Sequence, residues 1–172
     1  MKSDNAINIK HNLISSSFRD PAAQVYIIDG VVYRQINEPG YNDYNKLMKS
    51  GLYERLVSLG YLIPHTEVKK ELAADSRAIT VIKPEKVNFI SYPYEWSFSQ
   101  LKSAALLTLE ITKVALEFGM TLKDANAYNI QFHHGKPIFI DTSSFESYKE
   151  GSPWTAYYQF CKHFLAPLSL MS

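Results

Sequence analysis

Met120-Thr-Leu-Lys-Asp124-Ala-Asn-Ala-Tyr-Asn129-Ile-Gln-Phe-His-His-Gly-Lys-Pro-Ile-Phe-Ile-Asp141-Thr-Ser143 is the stretch on which the reading of this chain turns. Tyr128 to Phe132 and Pro137 to Asp141 are rich in β-branched and aromatic residues and flank the turn His133-His-Gly-Lys136, so they read as the two strands of a hairpin. Asp124 then falls in the loop before the hairpin, Asn129 at its start and Asp141 at its exit. In an antiparallel pair the start of one strand lies beside the end of the next. Asn129 and Asp141 are therefore expected to converge at one end, with Asp124 in the loop leading there. An amide and a carboxylate oxygen beside a second carboxylate suit Mg²⁺, which takes few protein ligands and completes its shell with water and phosphate. The bland alternative is that these residues only cap and turn, for which Asp and Asn are common at strand ends.

Upstream of this stretch, Ser97 to Phe118 reads as the longest helix, with Leu101, Ala104, Ala105, Ile111, Val114, Ala115 and Phe118 on one broad apolar stripe. Ser97 or Ser99 can cap its start and Gly119 ends it. Near the front, Gln24 to Ile36 holds two β-branched runs around Asp29-Gly30, the dipeptide of a tight hairpin turn. Pro39-Gly40 reads as a break. Tyr41 to Leu59 has helical spacing interrupted at Gly51, and Gly60 reads as its stop. Leu62 to Pro64, Ala78 to Lys83 and Val87 to Tyr92 read as short strands, and Pro153 to Leu165 as a last helix broken at Pro167. Strands and helices do not alternate regularly, which argues α+β rather than a doubly wound parallel sheet.

The length, 172 residues, suits one domain with a sizeable core, and 46% hydrophobic content with 20% charged residues excludes a disordered or collagen-like chain. Eighteen Lys and Arg against 17 Asp and Glu give a net charge of +1, so no broad field draws the chain to nucleic acid. Cys161 alone makes no internal disulfide framework. Met1 to Lys10 has no apolar run behind it, and no apolar stretch nears the ~20 residues of a membrane span, so the expectation is a cytoplasmic protein without a membrane segment. No Gly-rich dinucleotide or P-loop motif and no Gly-x-Ser-x-Gly elbow is present. The histidines lack zinc spacing, and His133-His134 reads as a solvated turn. Tyr92, Tyr94 and Trp96 read as core packing or a hinge wall rather than a stacking site for carbohydrate or bases.

The 120–143 stretch resembles the catalytic loop of the protein-kinase-like fold, including small-molecule kinases of the aminoglycoside phosphotransferase type. Their pattern is a loop Asp, an Asn five residues on, a short hairpin and a metal-binding Asp. The resemblance implies that Asp124 accepts the proton of a substrate hydroxyl and that Asn129 and Asp141 hold Mg²⁺ of bound ATP. It also implies a small N-terminal lobe, a hinge over Val87 to Trp96, and a cationic residue on an early strand that pairs with ATP. Here that position shows Arg34, with Glu54 on the following helix as its partner. The chain departs from the pattern in three places. Thr121-Leu122 stands where the family has His, Asp141-Thr-Ser143 replaces Asp-Phe-Gly, and Asp20-Pro-Ala-Ala23 lacks the Gly-rich cover over the phosphates.

A second resemblance runs from about Phe18 to Leu170. Phe89-Ile-Ser-Tyr-Pro-Tyr-Glu-Trp96, the Thr121 to Phe132 run and Phe139-Ile-Asp-Thr-Ser143 are similar to the region before the methyltransferase domain in certain bacterial class I SAM-dependent methyltransferases, some of them nodulation proteins. It implies a kinase-like front portion whose SAM chemistry would sit in a separate or missing domain.

The expected organisation is thus a polar tail over residues 1–16 and one truncated kinase-like domain over 17–172. Within it, 17–92 would be lobe-like and 93–172 a partial second lobe. Two functions follow. One is phosphoryl transfer from ATP to a small hydroxylated substrate. The other is a non-catalytic, pseudokinase-like module that binds substrate or a methyltransferase domain, or forms an oligomer, through the 154–170 helix. One helix after the hairpin is little for the second lobe, which favours a partner or a continuation.

Overall fold

Asp29 and Gly30 both adopt positive φ, 49° and 78°, as a two-residue hairpin turn of this kind requires. They join β2 (Ala23–Ile28) to β3 (Val31–Asn37) in unbroken antiparallel register, with Tyr26 opposite Tyr33. The computed structural model describes residues 12–13 and 20–172. The expected polar tail, 1–16, therefore lies outside the described residues except for Asn12 and Leu13, which form β1 (Asn12–Leu13) against β2.

The chain divides into two compact units, one from residues up to Tyr41 and from His65–Lys86, the other from Asn42–Pro64 and Val87–Ser172. The first is a five-stranded antiparallel sheet in the order β1-β2-β3-β5-β4, with β4 at His65–Val68 and β5 at Ala78–Pro84. Alternation puts Tyr26 and Ile28 on one face, where they pack with Ala78 and Val81. The Tyr26 hydroxyl donates to Leu72 O at 2.8 Å, which satisfies the polar end of a fully buried ring. Buried Gln35 donates to Asn37 Oδ1 and accepts from Ala74 N, tying the β4–β5 connection to β3.

α1 (Glu38–Lys49) starts earlier than its sequence pattern implies, and Pro39-Gly40 lies inside its first turn rather than breaking the chain. Proline is tolerated there because the first helical N–H groups have no intrahelical partner. Gly40 is required by space: a Cβ would stand 2.8 Å from Ala22 O. Gly51, at φ 87°, separates α1 from α2 (Leu52–Ser58), as its position in the pattern predicts.

In the second unit α3 (Phe98–Glu117) carries the expected apolar stripe and is capped by Ser97, whose Oγ accepts from Gln100 N while Gln100 Oε1 accepts from Ser97 N. Leu101, Ala104, Ile111 and Ala115 pack with Leu47, Leu52 and Leu56 of the earlier helices. Each fully buried Leu or Ile stabilises the fold by about 1.5–3 kcal/mol relative to exposure. Thr108, the polar break in the stripe, donates to Ala104 O and so stays satisfied in the core. Two small ladders follow: β6 (Met120–Leu122) pairs with β9 (Phe145–Ser147), and β7 (Ile130–His133) with β8 (Lys136–Phe139). The tip residue His134 is exposed at φ 50°, a solvated turn.

Three expected strands differ. Leu62 to Pro64 forms no strand; Leu62 makes a single bridge to Phe139, while Ile63 N and Phe139 N exchange bonds with Phe139 O and Tyr61 O. The strand lies just beyond it, at β4. Val87 to Tyr92 is irregular, because Ser91 bonds the side chain of Gln131 instead of a ladder. Tyr128 and Asn129 lie in a 3-10 turn, Ala127–Asn129, so the first hairpin strand starts at Ile130. At the C-terminus α4 (Tyr157–Phe160) runs through a π-helical segment, Cys161–Leu165, into α5 (Ala166–Met171). Pro167 does not break this helix, since it falls in the first turn after the π segment. Among the described residues no helix is long and apolar enough to cross a membrane.

Candidate functional site

Asp124 heads a tight loop. Its Oδ1 accepts from Asn126 N at 2.8 Å, and Asn126 Oδ1 accepts in turn from Tyr128 N at 3.1 Å. These side-chain turns let a short Asp-Ala-Asn-Ala-Tyr-Asn segment curl without a Gly. The loop's exit is fixed when Ile140 N donates to Asn129 O at 2.8 Å. That bond brings the hairpin's start and its end together.

Side chains complete the junction. Asn129 Nδ2 donates to Ser144 Oγ at 3.2 Å, and Ser144 Oγ donates to Asp141 Oδ2 at 2.8 Å. Asp141 Oδ1 accepts from both Ser143 N at 2.9 Å and Ser143 Oγ at 2.6 Å. Asn129 and Asp141 thus converge, as hairpin geometry predicts, through one buried hydroxyl. Ser144 is 1% exposed, while both of its partners are partly exposed. Asn129 uses its amide nitrogen in this contact. An amide oxygen and a carboxylate are donor types that Mg²⁺ takes, with the rest of its shell left to water and phosphate. Ser143 and Ser144 were not singled out from the sequence. Their signal was the Ser-Ser pair after Asp141, in which a serine hydroxyl two or three residues on can reach back to a carboxylate.

The C-terminal segment holds the Asp124 loop from the other side. Trp154 Nε1 donates to Leu122 O at 2.8 Å, and Gln159 Oε1 accepts from Ala125 N at 2.9 Å. Lys123 N donates to Ser144 O at 2.9 Å, so the loop is pinned on each side of Asp124. His163 lies close enough to feel Asp124: burial first and then Lys162 hold its pKa below the ordinary value, with the Asp124 charge pulling upward. Within the 154–170 segment expected to meet a partner, Phe160 is core and Trp154 is partly buried on the loop, while Tyr157 and Tyr158 are exposed.

Arg34 sits on β3 in the first unit, opposite Val25 and Ile82. Burial lowers its pKa to about 10, with Asp20 pulling the other way, so the guanidinium stays charged at neutral pH. Its charge and burial together hold His65 on β4 at about 4, burial being the larger cause. Arg34 is thus a partly desolvated cation within its sheet. Glu54 lies exposed on α2 in the second unit.

No family model matches the sequence. The nodulation protein NoeA of Rhizobium meliloti (strain 1021) is 34% identical over 161 residues, covering 92% of this chain and 33% of that protein. The chain spans about a third of the length of this curated relative. Among solved structures, that of vaccinia related kinase 3 superposes with a TM-score of 0.51 at 13% identity, over 87% of this chain and 51% of that one. The fold is kinase-like. The 1-2-3-5-4 sheet makes up the first unit, while α2, inserted between β3 and β4, belongs to the second. The long helix α3 leads into the loop of Asp124, Asn129 and the Asp141 hairpin, in the order that the sequence resemblance implied.

Proposed function

We propose that this kinase-like domain binds ATP with Mg²⁺ and transfers its γ-phosphoryl group to a hydroxyl of a small substrate. The observation that carries the reading is the junction of Asn129 and Asp141 through Ser144, five residues after Asp124 in a pinned loop. Asn129 and Asp141 would hold the metal, which neutralises charge on the phosphates when bound. Asp124 would accept the hydroxyl proton as the new O–P bond forms and the bond to the β-phosphate breaks. Arg34 lies on β3, and a guanidinium fork would grip phosphate oxygens in pairs rather than as a point charge.

Melting the protein with and without ATP and Mg²⁺ tests this. Ligand at about 100 times its Kd adds roughly 2.7 kcal/mol and raises the midpoint by several degrees. The same rise in Asp141→Ala, or none in the wild type at millimolar ATP, would count against the reading. Release of ADP that stops in Asp124→Asn but persists as nucleotide binding separates the base from the metal site.

A second reading is favoured by one observation. Tyr158 and Leu170 on the C-terminal helix are 75% and 89% exposed, a large apolar surface for so short a segment. The domain would then be an accessory module that presents this face to a methyltransferase domain, and SAM would bind there and not to this chain. Co-purification with such a domain, lost in Tyr158→Glu with Leu170→Glu, supports that reading; ADP release without the partner opposes it.

A further inference from the structure

Of the two expected readings for Tyr92 and Tyr94, core packing or a hinge wall, core packing does not hold. Tyr94 is 75% exposed, Tyr92 is 44% exposed, and only Trp96 of the group is buried. The two tyrosine rings lie within 2° of parallel with centroids 5.5 Å apart. Full overlap would bring them to van der Waals separation, about 3.5–4 Å. The pair is therefore offset, and each ring leaves apolar surface uncovered. Phe89 and Ile90 are exposed in the same segment.

Exposed rings on a floppy loop would say little, but this segment is braced. Gln131 Oε1 accepts from Ser91 N at 3.0 Å and Gln131 Nε2 donates to Ser91 O at 3.1 Å. Trp96 Nε1 donates to Ser91 Oγ at 2.9 Å, and the Trp96 ring meets Phe132 edge-on at 5.2 Å. Glu95 Oε2 accepts from Tyr92 N at 2.7 Å, closing the 3-10 turn that spaces the two tyrosines. The rings are thus carried on the hairpin that follows Asn129. Tyr128, between Asp124 and Asn129, is itself 48% exposed.

The chemistry around the rings narrows what they can bind. Glu95 is the charged group beside them, and it repels phosphate and carboxylate ligands. Tyrosine offers an apolar face with a hydrogen-bonding rim, which suits a ring that has C–H faces and hydroxyl edges. On the proposed reading, the ligand must also bring a hydroxyl to Asp124, whose loop leads into the hairpin that carries Gln131. We infer that Tyr92 and Tyr94 form a preorganised platform for a neutral saccharide, the acceptor of the proposed phosphoryl transfer. The choice of acceptor rests on that reading; the platform itself rests on the exposed stacked rings.

Saturation-transfer NMR of the whole chain with cellotriose, maltotriose and tri-N-acetylchitotriose, each at about 10 mM, tests it. At least one sugar should bind, with its Kd raised about fivefold or more in Tyr94→Ala and unchanged in Tyr158→Ala, an exposed tyrosine elsewhere. No binding of any of the three, or binding indifferent to Tyr94, overturns the inference. A MgATP thermal shift lost in Tyr94→Ala also overturns it, since the ring would then serve the nucleobase. Sugar binding in a protein that shows no MgATP response leaves the platform standing and sinks the phosphotransferase reading alone.

Discussion

Replacing Ser144 by alanine removes a hydroxyl that donates to Asp141 Oδ2 at 2.8 Å and accepts from Asn129 Nδ2 at 3.2 Å. At 1% exposure, water has little access to fill the gap. A hydrogen bond to a charged group contributes about 1.5–3 kcal/mol and a neutral one about 0.5–1.5. The expected loss is therefore about 3 kcal/mol, and at roughly 2–4 °C per kcal/mol for a chain of this size the midpoint should fall by about 6–12 °C. Thermal melts followed by circular dichroism measure it. The assignment is sharpened by a double-mutant cycle with Asp141→Asn, which keeps the shape and removes the charge. Ser144→Ala should cost about 1–2 kcal/mol less in that background, because the charged acceptor is already gone. A drop under about 2 °C, or strictly additive losses, would refute the claim that this hydroxyl joins the two residues.

Three further outcomes follow from other parts of the molecule. Gly40→Ala should destabilise by about 1–3 kcal/mol in urea, because the overlap with Ala22 O at 2.8 Å outweighs the gain of about 1 kcal/mol in helix propensity; equal or greater stability would show that the backbone yields. Gln159→Leu should leave the buried Ala125 N–H unpaired at a cost of about 1–3 kcal/mol and speed its hydrogen exchange while α3 amides keep their protection; unchanged exchange at Ala125 would exclude Gln159 as the brace. His65, lowered from 6.5 to about 4, is neutral in the folded protein. The unfolded chain binds the proton first, so stability is whole above pH 6.5 and is lost as the pH falls from 6.5 toward 4, by at most roughly 3 kcal/mol; a melting profile over that window identical in wild type and His65→Gln would contradict this.

The Asp-Gly turn, α3 with its serine cap and the meeting of Asn129 with Asp141 were all legible in the sequence, because each is decided by local chemistry or by the geometry of a single hairpin. Asp29-Gly30 allows few other turns, and Ser97 with Gln100 writes its own cap. What escaped depended on distant partners. Val87 to Tyr92 has strand composition, yet Gln131, forty residues on, takes the Ser91 backbone that a ladder would have used. Pro39-Gly40 has the look of a break, and only the approach of Ala22 shows why the glycine is there within a helix. The serines after Asp141 and the brace from Trp154 and Gln159 escaped for the same reason: hydrogen bonds from side chains leave no periodicity behind. Tyr92 and Tyr94 escaped differently, since composition favours burying tyrosines and does not tell which ones a 3-10 turn holds out in water.

The most direct test of the proposed metal site replaces Mg²⁺ by paramagnetic Mn²⁺ in the presence of ATP and follows the backbone amide spectrum of the whole chain. The account predicts selective broadening of the amides of Asn129, Asp141 and Ser143, abolished in Asp141→Asn. Broadening centred elsewhere, or the same broadening in Asp141→Asn, would contradict it.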